Sequence, residues 1–180
     1  MGATTTLVTV QEFMQMPEPD GESIELIGGE LVTMGAGKVP HEFVKSNIIL
    51  LLAAWLLKNP VGRLLSETMY HLDEHNALIP DVSILFPGRV PPGSTGWIQA
   101  APEIAIEVVS SETAVRLENK IDLYLAHGGK SVWVVFPEPR LVRIFDAAGQ
   151  ARKFEQHQTL EDTNVLPGFQ VPVSSLFEGL

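Results

Sequence analysis

The chain has 180 residues, 45% of them hydrophobic and 19% charged, with a formal net charge of −10 and no cysteine. One domain spanning 1–180 is the natural expectation for this length, and the apolar share is too high for a disordered chain. Disulfides and thiolate metal sites are excluded, a reducing cytoplasm is the simplest setting, and the acidity argues against a general nucleic-acid coat with a basic face.

The opening stretch MGATTTLVTVQEF has no basic region ahead of an apolar core, so it is not a secretory signal. Gly2 and Thr6 match a myristoylation pattern only superficially. A short helix is predicted over 10–16, stopped by Pro17 and Pro19. Strands over 24–27 and 30–34 flank Gly28-Gly29, a pair that permits the positive φ of a tight hairpin. After a loop over 35–40, apolar residues at 44, 48, 51, 52, 55 and 56 predict a helix over 41–58. The longest apolar run, 48–57, is about half of what a membrane span needs.

Strands follow over 63–72 and 78–86, then a Pro- and Gly-rich loop over 87–101. The nearly all-apolar segment 104–109 predicts a central strand covered on both faces. A helix over 112–127 is closed by Gly128-Gly129, and strands over 132–136 and 141–145 flank a turn at 137–140. Strand, helix, strand between 104 and 136 is a βαβ unit with parallel strands, while the rest reads as antiparallel. The fold class is therefore α/β in the α+β sense, a mixed sheet flanked by helices.

Two acids interrupt apolar strands: Asp81 in Ile79-Pro80-Asp81-Val82, and Glu107 in Ile106-Glu107-Val108. A buried carboxylate costs several kcal/mol unless paired, protonated or bound to a metal. Two on neighbouring strands repel, and a hard divalent ion with oxygen ligands resolves the conflict. The plainer alternative pairs each acid with an Arg or Lys at a strand end. Lys120 lies on the edge of the helical stripe Leu117, Ile121, Tyr124 and Leu125, from which its ammonium can reach the end of the Glu107 strand. An ordinary snorkelling lysine would sit similarly. Glu25 on the hairpin is a further candidate carboxylate. His41, opening a helix whose N-terminus favours an anionic phosphate, is a site candidate or a simple cap. Glu30 reads as solvent-facing.

His71-x3-His75 has zinc-like spacing, but Asp73-Glu74-His75-Asn76 reads as a polar turn between strands, which breaks the helical geometry. There is no Gly-x-Ser-x-Gly, and Gly93-Ser94-Thr95-Gly96 lacks the lysine of a phosphate-binding loop.

Pro80-Asp81, Ile106-Glu107-Val108-Val109-Ser110, Lys120-x3-Tyr124-x3-Gly128 and Val132-Trp133-Val134-Val135 together resemble the Uma-type putative restriction endonuclease family of the PD-(D/E)XK nuclease superfamily. Glu25 to Leu31, His41 and Leu166-Pro167-Gly168-Phe169 extend the resemblance over the whole chain. It implies a restriction-endonuclease-like core, nucleic acid (DNA foremost) as partner, and a homodimer or higher homo-oligomer. It further implies that Asp81, Glu107 and the backbone carbonyl of Val108 hold Mg²⁺ or Mn²⁺, while Lys120 orients water or neutralises the transition state. The superfamily's usual lysine position is Val109, and the lysine is displaced to the next helix; Ser110-Ser111, Arg116 and Ile24 also depart from the family pattern. A catalytically silent nuclease-fold binding or assembly protein is the alternative. For self-association, the apolar tail 171–180 and the strand 141–145 offer surfaces.

Overall fold

The computed structural model describes residues 7–17, 23–35, 37–90 and 97–180. Gly2, Thr6, Pro19 and residues 93–96 lie outside them. Helix α1 (Val10–Phe13) is shorter than its periodicity suggests, a single turn held by a capping box between Thr9 and Glu12. β1 (Ser23–Ile27) and β2 (Glu30–Met34) form the expected hairpin, with Gly28 and Gly29 at φ 59° and 79° and Ile27 paired with Glu30. Helix α2 (Val39–Leu56) begins inside the expected loop because Pro40 is tolerated in a first turn, where its missing N–H has no helical partner to lose.

Two expected strands prove to be two strands each. Segment 63–72 divides at Glu67 into β3 (Arg63–Ser66) and β4 (Tyr70–Asp73). Segment 78–86 divides at Ile79-Pro80-Asp81 into β5 (Asn76–Leu78) and β6 (Val82–Leu85). The remaining strands are β7 (Ile104–Val108), β8 (Ser131–Phe136), β9 (Leu141–Asp146), β10 (Ala151–Glu155), β11 (Thr159–Glu161) and β12 (Gln170–Pro172). Between β7 and β8 runs α3 (Ala114–Ala126). Strands β2-β1-β5-β4 make one sheet, β10-β9-β8-β7-β6-β3 a larger one, and β11-β12 a small ribbon. β7 and β8 are parallel, as the βαβ pattern requires, and the other ladders are antiparallel.

At each division the chain leaves one sheet for the other. Glu67 takes a left-handed φ of 48°, and Pro80 has no N–H to give a ladder. The two crossings lie side by side, with the Glu67 N–H and the Ser66 hydroxyl both donating to the Asp81 carbonyl at 3.3 Å. Asp81 therefore stands at the mouth of β6 and not within a strand.

Alternation along the larger sheet sorts its side chains. Ile104, Ile106 and Val108 join Trp133 and Val135 against Val44, Ile48 and Leu52 of α2. Ala105, Val132 and Val134 face Leu117, Ile121 and Tyr124 of α3. Position 107 shares the Ala105 parity, so Glu107 is delivered to the α3 side.

The C-terminal part was not anticipated, since strands of three residues give periodicity too little to register. A final 3₁₀ turn, Val173–Phe177, buries Val173, Leu176 and Phe177 in the same core as α2. Asn47 Nδ2 donates to the Leu176 and Glu178 carbonyls at 3.1 and 2.9 Å. β9 lies between β8 and β10. The tail and the 141–145 strand thus contribute Val142, Ile144, Val173, Leu176 and Phe177 to the chain's own core.

Buried Asp162 ties this region to the sheet, accepting from Trp133 Nε1 at 3.0 Å and pairing with Arg152 Nη2 at 3.0 Å. Asp162→Ala removes the guanidinium's carboxylate and leaves the Trp133 indole N–H only its longer bond to the Ser131 hydroxyl at 3.2 Å, and should cost about 2–3 kcal/mol in urea unfolding. Asp162→Asn, which keeps an acceptor, should cost less. Equal losses for both would show that the hydrogen bonds are not the cause.

Candidate active site

Where the two sheets part, a cleft of about 220 Å³ is lined by residues that include His41, Asp81, Glu107, Val108, Glu112 and Arg116. β7 is an inner strand, and the cleft opens at the crossings between sheets.

Behind the cleft lies a fully buried ionic group. Lys120 Nζ of α3 stands 2.9 Å from Glu107 Oε1 on β7 and 3.0 Å from Glu25 Oε1 on β1. Both contacts are ion pairs by distance but are poorly aligned as hydrogen bonds. The Tyr124 hydroxyl, one turn beyond Lys120, donates to Glu107 Oε1 at 2.9 Å. Glu25 Oε1 also accepts from the Ile79 N–H at 2.7 Å, which fixes β1 to the crossing just before Asp81. Lys120 thus lies deeper than the stripe edge assigned from sequence, and it does not line the cleft.

Asp81 is held at both oxygens. Oδ2 accepts from the Val108 N–H at 2.7 Å, next in the chain to Glu107, and Oδ1 meets His41 Nε2 at 3.0 Å. His41 Nδ1 in turn lies 3.1 Å from Glu42 Oε1. At the rim, Lys45 Nζ joins Glu42 and Glu67 at 2.8 and 2.7 Å. The structure therefore brings together Asp81, Glu107, Val108 and His41 around the cleft, with Glu25 and Lys120 behind.

Electrostatics follow from burial. Desolvation raises the Glu107 carboxyl; Lys120 opposes it, while Asp81 and Glu25 add to it, and the net shift is upward. Burial alone would lower Lys120, but Glu107, Glu25 and Glu112 outweigh it and hold the ammonium above its ordinary range. Burial also raises Tyr124 and Glu112. The hydrogen bond to Asp81 is the main cause raising His41, against its partial burial.

One ammonium cannot balance Glu25 and Glu107 together, and both Glu25 Oε2 and Glu112 Oε1 are buried without a hydrogen-bond partner. This surplus of negative charge fits a cation. Among the described residues no three His, Asp or Glu side chains form a ready cage. Two carboxylates and a carbonyl instead suit a hard ion that keeps several waters.

Tyr124 was read from the sequence as part of the apolar stripe and of the Lys120-x3-Tyr124 motif, with no role for its hydroxyl. Its spacing of four from Lys120 was the available signal that its hydroxyl shares the lysine's partners. Glu112, Glu42, Glu67 and Lys45 carried no such signal, because only the β7–α3 connection, the crossings and α2 bring them to the cleft.

The mixed sheet flanked by helices makes this an α+β fold. A family model described as Uma2, putative restriction endonuclease, matches residues 10–174, and the chain belongs to that family. The crystal structure of a putative nuclease belonging to DUF820 from Anabaena variabilis is similar in fold, with a TM-score of 0.84 and 20% identity over 94% of this chain and 97% of that one. A cryo-EM DrdV–DNA complex gives a TM-score of 0.38 and 13% identity over 78% of this chain and 13% of that one, a likeness too slight to bear on the fold. No curated protein matches the chain.

Removing the buried ammonium strands two carboxylates, so Lys120→Met should cost about 3–5 kcal/mol of stability. Adding Glu107→Gln should recover part of it. A double variant no more stable than Lys120→Met would contradict the ion-pair account.

The raised Glu107 value also sets a pH dependence. The metal-free fold binds that proton more tightly than the unfolded chain, so its contribution is complete below the ordinary 4.5 and is lost as pH rises through the folded value. Glu112 acts in the same direction, and His41 does so only above its ordinary 6.5. The melting temperature of metal-free protein should fall as pH rises above 4.5, and Glu107→Gln should flatten that fall. An unchanged slope in Glu107→Gln would sink the assignment.

Proposed function

We propose that this protein hydrolyses phosphodiester bonds in nucleic acid, DNA foremost, with Mg²⁺ or Mn²⁺ held by Asp81, Glu107 and the backbone carbonyl of Val108. The observation that carries this reading is the Asp81 carboxylate accepting from the Val108 N–H, which ties it to the residue after Glu107 in one cleft. Bound there, a hard divalent ion supplies Lewis acidity toward a phosphate and a more acidic coordinated water.

The chain's own residues prepare that environment. Lys120 and Tyr124 both engage Glu107 Oε1, fixing the carboxylate and favouring its ionised form. His41 and the Val108 N–H hold Asp81 in one orientation. Lys120 is a positioning residue in this geometry, acting through Glu107 and Glu25 and not directly on the reacting phosphate. Glu25 carries the second negative charge that keeps Lys120 in place.

Purified protein with Mn²⁺ or Mg²⁺ should nick supercoiled plasmid, and Asp81→Asn should slow this by about two to three powers of ten. Calorimetric titration with Mn²⁺ should show weakened binding in Asp81→Asn and Glu107→Gln. Activity that survives Asp81→Asn would belong to a contaminant. If Mn²⁺ binds normally while duplex DNA, single-stranded DNA and RNA all stay intact, the catalytically silent binding or assembly reading replaces this one.

A further inference from the structure

Entry of a nucleic-acid strand into this cleft poses an electrostatic problem that the proposed catalytic group does not solve. Glu42, Glu67, Asp81, Glu107 and Glu112 all line it, against His41 and Arg116 as the basic lining residues. His41 is engaged by Asp81 and Glu42 at 3.0 and 3.1 Å. Lys45 is engaged by Glu42 and Glu67, and Lys120 is sealed behind Glu107. Among the described residues, Arg116 has no carboxylate partner within ion-pair distance. Its backbone N–H is held by the Thr113 hydroxyl at 3.3 Å, which fixes its place in the first turn of α3, one turn ahead of Lys120.

We infer that Arg116 is a substrate-binding residue that grips a backbone phosphate of the strand being cut. This role rests on the phosphodiesterase reading above and names the group that receives the polyanion. A guanidinium is always charged and presents a planar fork of donors matched to two phosphate oxygens, which an ammonium cannot reproduce. Position and charge state both suit a phosphate contact. The side chain is half-buried at the cleft wall, on the same helix as Lys120 and beside the carboxylates assigned to the ion. A cation already bound to glutamate would have to give up that partner before it could take a phosphate. Arg116 gives up only a longer-range attraction to Glu112.

The test is fluorescence anisotropy with a short fluorescein-labelled DNA duplex and the matching single strand, in Ca²⁺, across a range of salt concentrations. Wild type is compared with Arg116→Ala and Arg116→Lys, and plasmid nicking in Mn²⁺ is run in parallel. Arg116→Ala should bind about tenfold more weakly or worse. Its slope of log affinity against log salt should be smaller than that of wild type by about one, because one phosphate contact is lost. Arg116→Lys should keep the wild-type slope while recovering only part of the affinity. A residue that merely supports α3 would leave the salt slope unchanged. If wild type nicks plasmid while Arg116→Ala shows unaltered affinity and slope, the role of Arg116 is overturned and the nuclease reading stands. If wild type neither binds nor nicks, both fall together. Calorimetric Mn²⁺ binding by Arg116→Ala should match wild type, and a loss there would overturn the separation of phosphate from ion contacts.

Discussion

The buried ammonium of Lys120 is the constraint on which the rest of the site depends. It sits between Glu107 on the larger sheet and Glu25 on the smaller one, at 2.9 and 3.0 Å, and so couples three elements of separate chain origin. Such a group is a poor source of net stability, because desolvation consumes most of the attraction. Its consequence is geometric. With α3 pinned across the gap between sheets, Tyr124 reaches the same Glu107 oxygen, and the carboxylate cannot turn away from the cleft without abandoning both partners.

The cleft exists because the chain changes sheets twice at one level. Glu67 and the Ile79-Pro80-Asp81 segment each end one strand and start another, and the Asp81 carbonyl receives hydrogen bonds from the first crossing. A gap opens there that regular pleating would close. Asp81 enters it from the crossing, Glu107 from the inner strand β7, and His41 from the first turns of α2. The strained left-handed backbone at Glu67 belongs to the same junction.

Acids dominate the charge of the cleft. Carboxylates concentrated there favour a divalent ion and repel a polyanion, so the charge that attracts one opposes the other. Lys120, Lys45 and His41 spend their charge balancing neighbouring acids. The overall charge of −10 accords with this excess of acids in the cleft. Membership of the Uma2 family and the 0.84 TM-score define the fold frame, within which the site's chemistry is carried by these particular side chains.

Much of this was legible in the residues. Gly28-Gly29 announced the hairpin, the nearly all-apolar 104–109 run announced an inner strand, and the helix between it and β8 required a parallel pair. The acids at 81 and 107 stood out because nothing in an apolar segment compensates a carboxylate. The splitting of 63–72 and 78–86 was not legible, since residues on both sides of each break are equally apolar and sheet membership leaves no mark on hydropathy. For the same reason the apolar tail gave no sign that Val173, Leu176 and Phe177 pack with α2. Local pattern, which reports periodicity and the cost of burying charge, determined the elements and the suspect acids. Which acids share one lysine, and which face of β7 meets α3, was decided only by the packing of segments distant in sequence, because ion-pair partners are chosen by proximity in space.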